Sequence, residues 1–112
     1  MTEEKKFENK IKKFLDDKHL WYVKYFANSF TKSGIPDLIV CCNGYFVAIE
    51  VKQTKGKPSD LQLYNIDKIH QSGGIAIVLY PNQFDKFKDM INKLINDGYE
   101  DIYLYEQEEF YR

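Results

Sequence analysis

Three residues near the middle of this 112-residue chain have types and spacing suited to chemistry on an anionic substrate: Asp37, Glu50 and Lys52. Between the two acids lie two apolar runs joined by Asn43-Gly44, the dipeptide favoured in two-residue hairpin turns with both central residues at positive φ. With that turn, Cys42 pairs with Tyr45, Val40 faces Val47, Leu38 faces Ile49, and Asp37 lies across from Glu50. Side chains alternate along a strand, so Asp37, Glu50 and Lys52 share a face with Ile39, Cys41, Phe46 and Ala48. The opposite face is apolar throughout and should pack on a helix-lined core. Two opposed carboxylates, with Cβ atoms about 4.5–5.5 Å apart, repel each other. A divalent cation relieves that repulsion, because paired carboxylates make a hard, oxygen-rich site. Lys52, one pleat further on, can then hold a water or a phosphate oxygen beside the metal. The plainer alternative is a hairpin whose outer face carries solvated charges.

The hairpin needs elements around it, and the flanking sequence supplies them. Residues 2–18 read as an amphipathic helix with Phe7, Ile11, Phe14 and Leu15 on one stripe and Glu3 and Glu4 suiting its N-terminus. Glu8 sits beside the stripe, where it can pair with Lys12 one turn on. Residues 20–26 are aromatic and β-branched enough for a strand, and their poor alternation predicts burial on both faces. A polar loop follows; its Asn28, Ser29, Lys32 and Ser33 either line a phosphate path or are ordinary loop residues. Beyond Lys52 comes a loop bearing Lys55 and Lys57, then Ser59-Asp60-Leu61-Gln62, a capping box that opens a helix running to Gln71. Residues 75–80 form a continuous apolar run expected to be a buried central strand. Asn82 is placed to cap a last helix carrying Phe84, Phe87, Ile91, Leu94 and Ile95, with Gly98 past its end. Residues 101–105 read as a final strand and 106–112 as a charged, aromatic tail.

Composition bounds the rest. The length fits a single domain over residues 1–112 with one core, and 44% hydrophobic residues suit a folded chain. Sixteen basic against seventeen acidic residues leave a net charge of −1, without the basic excess usual for nucleic-acid binders. Any phosphate-binding surface must therefore be local. Cys41 and Cys42, the only cysteines, are adjacent in a strand; neither a disulfide framework nor a zinc site has that spacing. They read as buried apolar residues of a reducing cytoplasm. No apolar run reaches membrane-spanning length. His19 and His70, each late on a helix, belong to no catalytic set and complement the helix dipole.

Pro36-Asp37 followed, after the hairpin, by Glu50-Val51-Lys52 resembles the PD-(D/E)XK nuclease superfamily. Gly34-Ile35-Pro36-Asp37-Leu38 with Gln62 on the next helix resembles its VRR-NUC branch more narrowly, and the chain is also similar to Holliday junction resolvases. The likeness spans roughly residues 7–80. It implies an α/β fold: a restriction-endonuclease-like α-β-β-β-α-β core with a mixed sheet, to which this chain adds a C-terminal helix and strand. The implied activity is metal-dependent hydrolysis of DNA phosphodiesters, with Mg²⁺ as cofactor and Mn²⁺ able to substitute. Asp37, Glu50 and the backbone carbonyl of Val51 would hold the metal, and Lys52 would orient the attacking water. By the same resemblance Gln62 and Glu8 position the water or a second ion; Gln62 has a competing role in its capping box. Lys32, Ser33, Lys55 and Lys57 are the candidates for gripping the DNA backbone. Nothing in the chain is built to read bases, so the expected substrate is branched, flap or four-way-junction DNA and not a specific sequence. Cutting two strands calls for a homodimer. A non-catalytic nucleic-acid-binding or protein-interaction module on the same fold is the alternative.

Overall fold

In the computed structural model, which describes residues 1–28 and 31–96, the elements are α1 (Glu3–Asp17), β1 (Trp21–Lys24), β2 (Leu38–Cys42), β3 (Tyr45–Val51), α2 (Asp60–Gln71), β4 (Ile75–Leu79) and α3 (Phe84–Asn96). Asn43 and Gly44 both take positive φ, 52° and 86°. The hairpin register is the expected one: Cys42 opposite Tyr45, Val40 opposite Val47, Leu38 opposite Ile49. The sheet order is β1-β2-β3-β4, antiparallel except for the parallel β3/β4 pair. The α-β-β-β-α-β core with a mixed sheet is therefore present, with α3 added to it. The expected strand at 101–105, Gly98 and the tail at 106–112 lie outside the described residues.

Alternation divides the sheet into two chemically different faces. Leu38, Val40, Cys42, Val47, Ile49 and Val51 point to one side, where α1 supplies Phe7, Ile11 and Leu15 and α3 supplies Phe87, Met90, Ile91 and Leu94. Each such side chain stabilises the fold by about 1.5–3 kcal/mol on burial, so this layer dominates the fold energy. On the other face α2 packs Ile66 over Ala48 and Ala76. Two alanines under the helix allow close approach and leave the β3 end beside it for polar groups. Thr2 caps α1 by accepting from the Lys5 amide at 3.1 Å. The helix ends with His19 in the left-handed region, φ 59°, and the Leu20 amide closing on the Leu15 carbonyl at 3.1 Å.

Four expectations need correction. Among the described residues β1 is an edge strand, not one buried on both faces: Tyr22 packs against the core, whereas Trp21 on the other face is 64% exposed. β4 is buried as expected but is the end strand among the described residues, with α2 and α3 providing its cover. Cys42 is buried, whereas Cys41 points to the open face and is exposed. Asn82 lies within a 3-10 turn, Pro81–Gln83, ahead of α3. It is the Gln83 side chain that accepts there, from the Tyr80 amide at 3.1 Å.

Candidate metal centre

Asp37 is delivered to the sheet by a loop held against α2. Gly34 takes φ 75°, and a Cβ there would lie 2.6 Å from Leu61 Cγ and 3.0 Å from Asn65 Nδ2. Asn65, itself buried, donates to the Gly34 carbonyl at 3.1 Å and to the Leu61 carbonyl at 3.0 Å. Only glycine can make that approach. The chain then enters β2 with Pro36 buried and Asp37 at the strand mouth. The Asp37 carbonyl accepts from the Tyr25 amide at 2.8 Å, and its carboxylate Oδ2 accepts from the Val51 amide, also at 2.8 Å.

Continuing the hairpin register brings Glu50 across from Asp37, and the two carboxyl groups meet. Glu50 is 2% exposed. Its Oε2 accepts from Gln62 Nε2 at 3.1 Å and lies 3.3 Å from Lys52 Nζ, while its buried Oε1 has no hydrogen-bond partner among the described residues. Burial first, and the neighbouring Asp37 second, push the Glu50 carboxyl up to about 8 against the pull of Lys52. In this state a proton does what a cation would do: it lets two carboxyl groups share one small space. A buried carboxylate oxygen without a partner is costly, and a facing carboxylate beside it makes a hard donor pair that suits a divalent metal. Among the described residues no group of three His, Cys, Asp or Glu converges on one point. The remaining ligands would have to be oxygens of the main chain, such as the Val51 carbonyl, of water or of substrate, which accords with Mg²⁺ keeping much of its hydration.

Glu8 does not join that pair directly. It lies on α1, on the opposite face of the sheet, 4% exposed, and is ringed by Lys24 at 2.5 Å, Lys5 at 2.9 Å and Lys12 at 3.1 Å. Burial alone would raise its carboxyl, but the hydrogen bonds from these three lysines outweigh it and hold the group down at about 2. The expected Lys12 pair is thus present, and so is a link to the site: Lys24 Nζ also lies 3.3 Å from Asp37 Oδ1. Burial lowers the affinity of Lys24 for its proton, but Glu8 and Asp37 more than offset this and raise it. Lys24 was absent from the sequence-based site. Its pairing with Leu38, which only the folded sheet shows, turns it to the core side, where a lysine needs a buried counter-charge.

Gln62 turns out to serve both of its competing roles at once. Its Oε1 accepts from the Ser59 amide at 2.8 Å, completing the capping box, while its Nε2 donates to Glu50. Lys55 and Lys57 are exposed on a loop anchored at both sides. The Thr54 amide and hydroxyl donate to Glu3 at 2.6 and 3.1 Å, and the Tyr80 hydroxyl donates to the Gly56 carbonyl at 2.9 Å. Lys32 and Ser33 are exposed on the loop ahead of Asp37, as is Asn28, while Ser29 lies outside the described residues. Neither histidine approaches the carboxylates by any contact seen here. His70 Nε2 donates to the Ala76 carbonyl at 2.8 Å, tying the last turn of α2 to β4, and burial lowers its pKa.

A mixed sheet presenting Asp37, Glu50 and Lys52 at the end of a hairpin, with a helix-borne glutamine on the glutamate, defines a PD-(D/E)XK-type nuclease. Residues 2–78 match the family model of the archaeal Holliday junction resolvases, and the chain belongs to that family, within the PD-(D/E)XK superfamily. The matched region runs from α1 into β4 and contains every site residue named above; α3 lies beyond it. The match confirms the superfamily and the likeness to the resolvases; it does not confirm the narrower VRR-NUC likeness. No curated protein and no solved structure matches the chain. Among the described residues no helix is long and apolar enough to cross a membrane.

Proposed function

We propose that this protein is a divalent-metal-dependent endonuclease that cuts four-way-junction DNA, as a homodimer of a single nuclease domain spanning residues 1–112. The observation that carries the reading is the buried Glu50 carboxyl beside Asp37, with Lys52 and Gln62 gathered on its Oε2 and no hydrogen-bond partner on Oε1 among the described residues. Asp37, Glu50 and the Val51 carbonyl would hold the cation, Mg²⁺ or in its place Mn²⁺. When bound, it lowers the pKa of a water and polarises the scissile phosphate. Lys52 stabilises the negative charge that builds on phosphate oxygens as the water oxygen bonds to phosphorus and the bridging P–O bond breaks. Gln62, fixed at one end by its cap, holds its amide group toward the carboxylates and orients the water. Glu8 acts at one remove, keeping Lys24 charged and aimed at Asp37.

The overall charge of −1 does not oppose this reading, because positive charge is gathered locally. Three lysines surround the single Glu8 carboxylate, and Lys55, Lys57 and Lys32 stand exposed around the same end of the sheet. Backbone phosphates supply most of the affinity for DNA. The test is cleavage of four-way, flap and linear DNA with Mg²⁺. The parent should cut the four-way form in preference to the others, sediment at twice the 13.3 kDa chain mass, and lose activity with Glu50→Ala. Lys52→Ala should also abolish cutting yet keep most of the metal-induced rise in Tm, since lysine is no ligand to a cation. A parent inert on all three DNAs with Mg²⁺ and Mn²⁺ would refute the proposal.

A further inference from the structure

On the face that carries Asp37 and Glu50, the described residues cover the sheet only in part. Between the loop ahead of Asp37, the β2/β3 hairpin and the C-terminal half of α2 lies an open pocket of about 400 Å³. Ile35, Pro36, Ile39 and Phe46 form apolar walls, and two exposed lysines also line it: Lys32, and Lys68, whose Nζ lies 5.5 Å from the centre of the Tyr64 ring. Among the described residues no carboxylate lines it. Phe46 is 47% exposed, so part of its ring is open to whatever enters. Gly74 keeps the back wall open: a Cβ there would come within 2.8 Å of Ile69 Cγ2 and 3.2 Å of the Phe46 ring.

Position narrows the occupant. Pro36 is the residue before Asp37, and Ile39 lies two residues beyond it on the same face, about 7 Å along the strand. Successive bases of a stacked DNA strand are about 3.4 Å apart, so this distance is one or two nucleotides from a phosphate held at the carboxylates. Its volume falls within the range of small-molecule sites, about 300–1,000 Å³, and an apolar, aromatic wall is what a planar base requires. Two lysines at the mouth of an otherwise uncharged pocket complement the phosphates on either side of such a base.

Resting on the nuclease reading above, we propose that this pocket receives one nucleobase displaced from the stack beside the branch point, with Phe46 as its stacking surface and Lys32 and Lys68 on the flanking phosphates. Branch-point bases lose a stacking neighbour and are the cheapest to displace, so the pocket gives a base-independent preference for branched over continuous DNA. Base–aromatic stacking tolerates any base, because each has a π face.

The test measures binding of a four-way junction, with Ca²⁺ replacing Mg²⁺ to prevent cutting, by the parent and by Phe46→Ala and Lys68→Ala. One junction is intact; others carry a single abasic site one or two nucleotides from the cleaved phosphate. An abasic site at one of those positions should weaken parental binding about tenfold. Phe46→Ala should weaken binding of the intact junction about as much, with no further loss on that abasic junction, since both changes remove the same contact. Lys68→Ala should weaken intact and abasic junctions alike, and linear duplex should bind all three proteins equally. Independent, multiplying losses overturn the proposal, as does no loss at any position. A Phe46→Ala protein that sediments as a smaller species overturns it too, because the face would then be covered by a second copy. A parent that neither binds nor cuts branched DNA removes the nuclease reading itself, whereas failure of the pocket alone leaves junction cleavage intact.

Discussion

Glu50 is the residue on which the site's chemistry and the protein's stability meet. Its carboxyl is raised to about 8 by burial and by Asp37, while the unfolded chain titrates it near 4.3. The folded form therefore holds the extra proton between these values. The stability it contributes is full below about pH 4.3 and is lost as pH rises through 8. Metal-free protein should show a Tm falling by several degrees between pH 5 and 8.5, followed by thermal melts in a chelator. Glu50→Gln should flatten that slope, and Mg²⁺ should raise the parental Tm most at the alkaline end, where the carboxylate is already free. Replacing Asp37 has a different consequence. Its carboxylate holds the Val51 amide and Lys24, so relief of repulsion is expected from replacing Glu50 and not from replacing Asp37. Glu8 runs the other way: held at about 2, it contributes stability above its unfolded value that disappears as pH falls through 2.

Among the elements, the loop from Lys32 to Asp37 has the least regular structure and the most influence on the site. It stays in place by its contact with α2, through Gly34 packed on Leu61 and Asn65. Gly34→Ala combines a positive φ with a Cβ 2.6 Å from Leu61 Cγ. It should cost about 1–3 kcal/mol, read by urea unfolding. Since the loop must shift to make room, the Mg²⁺-induced rise in Tm should shrink as well. A variant of parental stability and parental metal response would show that the loop does not position Asp37. The α2 helix contributes from the other side: the capping box that starts it is also what aims Gln62 at Glu50.

At the level of the whole molecule, a chain of net charge −1 must bind DNA through a few well-placed cations. Lys55 and Lys57 project from a loop tied to α1 through Glu3 and to the end of β4 through Tyr80. A tethered loop can hold lysines toward a backbone at less entropic cost than a loose one. Replacing either with alanine should weaken junction binding across all sequences and reduce the slope of log K against log salt by about one unit. An unchanged slope in fluorescence-anisotropy titrations would remove that lysine from the interface. The double-sided sheet also separates tasks: the α1/α3 layer carries most of the burial, which leaves the α2 face free to hold charge and an open pocket.

Much of this was legible in the residues alone, for a definite reason. Asn43-Gly44 can form few turns, and a two-residue turn dictates which residues face each other, so the Asp37/Glu50 pairing and the two faces of the hairpin followed from local rules. The capping box at Ser59 and the stripe of α1 are equally local. What tertiary structure decided was everything that depends on which element lies beside which. The edge position of β1 and the exposure of Trp21 and Cys41 come from where α2 happens to lie. Lys24 joins Glu8 to Asp37 across a sequence separation of 13 to 16 residues, around the end of a sheet whose strand order no local pattern states. Gln62 could serve its cap and Glu50 together only because α2 packs on two alanines, close enough for one amide to reach both. Periodicity and turn chemistry report on neighbours along the chain; long side chains with charged ends report on neighbours in space, and their partners are known only once the layers are packed.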